Sequence, residues 1–151
     1  MDNFVETRRE GFDGQQLFRV PNQVLRRMLD RPFTRDFLVT DLGYFPPCPG
    51  HEVTRDDQVS QTIMILVNSG FGWCEIRGNR HRLGANQLLL IPAGCSHRYG
   101  ADDRDPWSIF WFHFQGSGAE GLLSWIEHST ANPVLSVGSP ESLRRQFRKI
   151  L

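Results

Sequence analysis

The side chains with the most chemistry to offer in this 151-residue chain are five histidines, three cysteines and four tryptophans. A metal centre needs several ligands at characteristic spacing. His51, His81, His97, His113 and His128 form no H-E-x-x-H, no H-x-H and no Cys/His ligand pattern. Cys95 stands two residues from His97, which reads either as a thiol beside its base or as a small residue buried in a turn. No Ser-His-Asp arrangement is visible in the spacing. Gly70-Phe71-Gly72 follows an apolar run but leads into a hairpin signal, so it is a turn and not a phosphate cradle. The densest stretch runs from Tyr99 to Phe114, where an acidic loop ending at Pro106 leads into an aromatic strand. Strand alternation puts Trp107, Ile109, Trp111 and His113 on one face and Ser108, Phe110, Phe112 and Phe114 on the other. The phenylalanine face suits packing under helices. The tryptophan face offers flat indoles for the C–H side of a sugar or another ring, with N–H groups for polar atoms. The same indoles would also serve as filling for a small barrel, and the strand alone leaves both readings open.

The elements that must position these residues are mostly short strands. Residues 1–20 read as an N-terminal arm, with Phe12 and Phe18 among glycines and glutamines. A short helix is expected next, with Pro21 at its first position and Val24, Leu25, Met28 and Leu29 at helical spacing. Phe37–Thr40, Ile63–Val67, Trp73–Arg77, Arg80–Leu83, Leu88–Ile91 and Trp107–Phe114 read as strands, and Gly78-Asn79 as a two-residue hairpin turn. Ile63–Val67 and Leu88–Ile91 are apolar on both faces and need cover on both sides. Close strand spacing with Gly and Pro punctuation points to a closed or sandwiched β architecture. After Gly116 the period becomes helical. Ser117 with Glu120 spells a capping box ahead of a stripe of Leu122, Leu123, Trp125 and Ile126. Ser139-Pro140-Glu141 opens another helix with Leu143, Phe147, Ile150 and Leu151 on one face.

Composition bounds the function. The hydrophobic share of 39% and the charged share of 23% suit one folded domain and not a disordered chain. No apolar run reaches the length of a membrane span, and the charged opening has no apolar core of a secretory signal. An odd number of unpatterned cysteines (Cys48, Cys74, Cys95) fits a reducing compartment, so a cytoplasmic location is expected. Seventeen basic and seventeen acidic residues cancel, which argues against this chain gripping nucleic acid by itself.

The phrase Pro92-Ala93-Gly94-Cys95-Ser96-His97 resembles the second cupin motif, P-x-G-x-x-H. Metal-bearing cupins also carry an H-x-H plus Glu motif on an earlier strand pair, where Ser60–Ile76 has no histidine and one acid, Glu75. Residues 36–116 as a whole resemble the N-terminal effector-binding domain of AraC-type transcription regulators. The phrases that carry this are LVTDLGYFPPCPGHEVTR, TIMILVNSGFGWCEIRGNRHRL and LLLIPAGCSHRYGADDRDPWSIFWFHFQG, with the helix that follows. The succession IPAG-x-x-H-x-YGA then PWSIFW-x-HF is the most specific part.

The resemblance implies a mainly β fold: a cupin-like double-stranded β-barrel (jelly roll) over residues 21–116, followed by a helical dimerisation segment over 117–151. It implies a small-molecule effector, often a sugar, inside the barrel, homodimerisation through the C-terminal helices, and DNA binding only by a separate helix-turn-helix domain expected beyond Leu151. No cofactor, metal or membrane partner is expected, and no catalytic residue. By motif match, Arg55 would hydrogen-bond the effector, Tyr99 would line the pocket and Trp111 would stack on the ligand, with Asp41 near a further polar position. Ile109 departs from the arabinose-responsive type, which has a histidine there, and so argues against arabinose itself. His51, on the same side of the strand as Arg55, His97 and Trp107 complete the expected ligand-binding set, although the residues alone favour His97 as a structural histidine of the turn. For Arg55 the residues alone also allow a rim salt bridge with Asp41, Asp56 or Asp57. The expected mechanism breaks no bond: effector binding, with the arm folding over it and burying Phe12 or Phe18, shifts an arm or dimer equilibrium. Two other readings are a metal-dependent cupin enzyme, an isomerase or dioxygenase, and a dimerisation module with a filled barrel.

Overall fold

The computed structural model describes residues 6–126 and 129–151, so His128 lies outside the described residues. The chain runs β1 (Gln16–Arg19), α1 (Asn22–Leu29), α2 (Pro32–Arg35), β2 (Leu38–Phe45), β3 (Glu52–Arg55), β4 (Thr62–Ser69), β5 (Phe71–Ile76), β6 (Asn79–Gly84), β7 (Gln87–Ile91), β8 (His97–Ala101), β9 (Ser108–Gln115), α3 (Ser117–Trp125), β10 (Val134–Ser136) and α4 (Pro140–Ile150). Two antiparallel sheets form. One has the order β1-β2-β9-β4-β7-β10 and the other β3-β8-β5-β6. Alternate residues of both sheets meet between them, and this is the cupin-like double-stranded barrel. No described helix is long and apolar enough to cross a membrane.

The two faces of the central strands feed two cores. Ile63, Ile65, Val67, Leu89, Ile91, Trp107, Ile109 and Trp111 point between the sheets. Leu66 and Phe110 point outward and are covered by Phe147, with Leu143 and Leu151 alongside. Phe147 stacks on Phe110 at 5.3 Å and approaches Phe112 at 5.7 Å. Arg144 ties the same helix down through Nε to Asn68 Oδ1 at 2.9 Å. The phenylalanine face of β9 is thus the seat of α4, as alternation requires, while Ile150, expected on that face, is 66% exposed.

Several local expectations shift. The N-terminal segment is partly strand: β1 pairs with β2, Phe12 is buried and Phe18 is exposed. Pro21 is the cap of α1 and not its first residue. The β5–β6 turn is Arg77-Gly78, one residue earlier than Gly78-Asn79, because Ile76 pairs with Asn79. Both turn residues take positive φ, 51° and 78°, as the tight primed turn demands. The Ser117 capping box does not form. Gly116 occupies the cap, and the carbonyl of Asp36 accepts the Gly118 N–H at 2.7 Å, so a neighbouring segment does the capping. Ser139 caps α4 by position only, with no side-chain hydrogen bond.

Candidate functional site

Strand register assembles the site. In β2–β9, Asp41 pairs with His113 and Gly43 with Trp111. In β3–β8, Val53 pairs with Tyr99 and Arg55 with His97. The inward members of these pairs border a cavity of about 370 Å³ between the sheets. β9 contributes Ile109, Trp111 and His113; β2 contributes Asp41 and Phe45. His51, Val53 and Arg55 line it at every second position, and Tyr99, Ile65 and Gln61 complete the inner wall. Arg9, Glu10 and Arg19 from the N-terminal segment also border it.

Trp111 is 7% exposed and its indole N–H is buried without a partner. Its ring lies flat on the β2 backbone because residue 43 has no side chain: a Cβ there would sit 2.8 Å from Trp111 Cζ2. Phe45 meets the indole edge-on at 5.5 Å. A polar edge with no protein partner beside an apolar ring face is a recognition surface.

A polar chain crosses the same wall. Gln61 Nε2 donates to Thr40 Oγ1 at 3.0 Å, Thr40 donates to Asp41 Oδ2 at 3.0 Å, and His113 Nδ1 contacts Asp41 Oδ1. An irregularity in the β2–β9 register between Val39 and Asp41 brings the Thr40 hydroxyl to Asp41. Burial opposes ionisation of Asp41, but the His113 and Thr40 hydrogen bonds outweigh it and hold the carboxyl below its ordinary range.

Arg55 has a buried Nε with no hydrogen-bond partner and makes no ion pair among the described residues. The rim salt bridge does not form with Asp41, Asp56 or Asp57, although Asp41 and Arg55 feel each other's charge and Asp41 contacts His113. Burial pushes the Tyr99 phenol up, partly offset by the neighbouring Arg55 guanidinium.

Three expected site residues have other surroundings. His97 Nδ1 donates to the Cys95 carbonyl at 2.6 Å and its ring stacks on Tyr99 at 5.8 Å. It stands behind the cavity wall, and burial lowers its pKa. That bond goes to a carbonyl oxygen, so Cys95 and His97 are not a thiol–imidazole couple. Trp107 is fully enclosed against Gly72, beneath the cavity and not on it. His51 does border the cavity, but its Nδ1 is occupied by the Trp107 N–H at 3.2 Å. Burial drives its pKa down to about 4, so it is neutral at neutral pH.

The expected residues Asp41, His51, Arg55, Tyr99, Ile109 and Trp111 therefore share one cavity. His113, Gln61 and the N-terminal Arg9, Glu10 and Arg19 join them without having been singled out as site residues. Alternation already put His113 on the tryptophan face; the others carry no local signal. Among the described residues no three His, Cys, Asp or Glu side chains converge as a divalent cation requires.

Residues 42–151 match the family model described as the AraC-like ligand binding domain. The chain is 30% identical over 139 residues to the MmsAB operon regulatory protein of Pseudomonas aeruginosa, covering 87% of this chain and 44% of that protein. It is 34% identical over 61 residues to the Msm operon regulatory protein of Streptococcus mutans, covering 40% of this chain and 22% of that one. The chain thus spans less than half the length of either relative. Among solved structures, the protein YhaK from Escherichia coli superposes with a TM-score of 0.50 at 14% identity, over 72% of this chain and 51% of that one, a likeness of fold. With well over half its residues inside the matched model, and a polar-and-aromatic cavity between its sheets, the chain belongs to the AraC-like ligand-binding domain family.

Proposed function

We propose that the cavity receives a small organic effector and that the chain is the sensing and dimerisation domain of a transcription regulator. The observation that carries this is a cavity of about 370 Å³ whose wall joins the side chains of Arg55, Tyr99 and the Asp41–His113 pair to the aromatic residues Trp111 and Phe45. Two of these wall residues also carry a buried donor without a protein partner, Arg55 Nε–H and Trp111 Nε1–H, which costs stability. The names of the relatives, both operon regulators, support the regulatory reading. A sugar is the effector class the family resemblance suggests. Its ring would lie on Trp111 while Arg55 and Tyr99 meet its oxygens, and Ile109 would contact an apolar part.

In this proposal the N-terminal segment reads the ligand. Its backbone runs beside His51 through the Arg8 N–H to Gly50 carbonyl bond at 2.9 Å, and Phe12 is already buried. Arg9, Glu10 and Arg19 border the opening, so an effector that touches them shifts the segment's equilibrium by its differential affinity. Helices α3 and α4 would join two copies, with Trp125 81% exposed. A DNA-binding unit elsewhere in the regulator would respond to the spacing between them. The domain acts by binding and carries out no reaction.

The test is a thermal-shift screen of the chain against a library of small metabolites, repeated with Trp111→Ala. A compound that raises the melting temperature of the native chain and not of the variant is expected. A library in which every shift survives the substitution removes the cavity from the proposal.

A further inference from the structure

Resting on the cavity reading above, we infer that the effector is an organic acid: a compound with a carboxylate for Arg55 and an apolar or ring-shaped body for Trp111. The cavity's charges do not balance. Its wall holds three arginines, Arg9, Arg19 and Arg55, and two carboxylates, Glu10 and Asp41. Both carboxylates are already engaged. Glu10 accepts from Arg19 at 2.5 Å, and Asp41 is held by His113 and Thr40. Arg9 and Arg55 are left without an ion pair among the described residues. Arg55 is the inner of the two, on β3 directly opposite His97 of β8, with its Nε sealed from solvent. Arg55 has the Tyr99 hydroxyl as a hydrogen-bond partner and feels the charge of Asp41, but no carboxylate closes on its half-buried guanidinium, and a bound anion would do so.

The hydrogen-bond inventory points the same way. The unpartnered buried groups on the residues that line the cavity, Arg55 Nε–H and Trp111 Nε1–H, are both donors. Neither can accept, so they ask for acceptor oxygens. An ionised carboxylate is acceptor-only and matches the planar fork of arginine in two parallel bonds. A neutral polyol brings hydroxyl hydrogens that need acceptors, and the inner carboxylate, Asp41, already has His113 on one oxygen and Thr40 on the other, so it has few sites left for them. His97, opposite Arg55 in the register, also has a buried ring nitrogen without a partner, Nε2. Burial lowers its pKa, so this imidazole supplies no negative charge to Arg55. The rest of the wall is Phe45, Val53, Ile65 and Ile109, which suits a hydrocarbon or ring body and not a second charge. Sugar acids satisfy both this inference and the suggested sugar class; neutral sugars satisfy only the latter.

The experiment is a thermal-shift and calorimetric comparison of matched pairs on the native chain: each acid against its primary amide or, for sugar acids, the parent sugar. D-galacturonate with D-galactose, 3-hydroxybutyrate with 3-hydroxybutyramide, and benzoate with benzamide open a panel that extends through the small metabolic acids. The inference expects acids to bind at least tenfold more tightly than their neutral partners. Arg55→Gln should erase that preference and leave the melting temperature of the ligand-free chain unchanged or higher, because a functional cation without a close ion pair is removed. Arg55→Lys should keep part of the preference. Binding of neutral members alone, or of both members equally, overturns the carboxylate inference and leaves the cavity reading standing. No binding by any compound overturns both. A ligand-free Arg55→Gln chain that melts lower while its acid preference persists would make Arg55 structural and also overturn the inference.

Discussion

The indole N–H of Trp107 is donated to Nδ1 of His51 at 3.2 Å, with both rings out of reach of solvent. Indole nitrogen only donates, so Nδ1 must accept, and the proton of His51 sits on Nε2. Phe12 and Phe45 meet the imidazole edge-on at 5.5 and 5.4 Å, which seals it further. His51 is therefore a neutral strut between the cavity and the enclosed indole beneath it.

That tautomer makes stability depend on pH. The ordinary histidine value is 6.5, and burial takes His51 down to about 4 and lowers His97 as well. Between those limits the unfolded chain binds protons that the folded chain refuses. Stability is thus fully present above about pH 6.5 and is lost as the pH falls toward 4. His51 alone accounts for on the order of 3 kcal/mol across that window. Asp41 acts in the same direction only at lower pH, since its ordinary value is 3.8 and its folded value lies below that. Urea titrations at pH 7, 5.5 and 4.5 should show the decline, and His51→Phe should flatten most of it. A further loss of about 1–3 kcal/mol at every pH is expected from the orphaned Trp107 N–H. An equal slope in native and variant chains would count against the neutral strut.

Trp111→Ala removes the largest aromatic face of the cavity. An effector identified by screening should lose about 1–3 kcal/mol of binding free energy in calorimetry, while the far-ultraviolet spectrum stays that of a β-barrel. Unchanged affinity would take Trp111 out of the binding surface.

Two glycines predict opposite outcomes for one substitution. At Gly72 an added Cβ would lie 1.9 Å from Trp107 Cε3, and Trp107 has nowhere to go. Gly72→Ala should cost about 1–3 kcal/mol or more. Gly121, inside α3, has nothing within 4 Å of its would-be Cβ. Gly121→Ala should stabilise by about 0.5–1 kcal/mol through helix propensity. Denaturant midpoints separate the two, and a similar shift at both positions would contradict the packing described for Trp107.

The helical segment divides by exposure. Phe147 is 4% exposed over Phe110 and Phe112, so Phe147→Ala should cost about 3–5 kcal/mol and loosen α4 from the sheet. Trp125 is 81% exposed, so Trp125→Ser should leave the folding of a single chain within about 0.5 kcal/mol of native. Under the proposed dimer the same change should weaken self-association in sedimentation equilibrium. An unaltered association constant would exclude Trp125 from the interface.

Much of the barrel was legible because its signals are local. Period-two alternation along Trp107–Phe114 separates the cavity side from the α4 side, and the structure keeps that division at Trp111 and Phe110. Proline and glycine marked the strand ends, and the helical period after Gly116 marked α3 and α4. The misses are of another kind. The hairpin turn moved by one residue to Arg77-Gly78 because cross-strand register, and not the identity of the turn residues, selects which pair closes it. The α3 cap came from Asp36, about eighty residues away in sequence, which no capping pattern can signal.

The chain by itself determined which side chains share a strand face, so Ile109, Trp111 and His113 had to look the same way, as did His51, Val53 and Arg55. Only the tertiary structure decided which faces look at each other. It matched Asp41 to His113, left Arg55 without a close ion pair among the described residues, sent Trp107 beneath the cavity and brought the N-terminal arginines to its opening. The reason is physical: alternation is a property of one strand, whereas register and the pairing of charges across two sheets arise from contacts between segments distant in sequence.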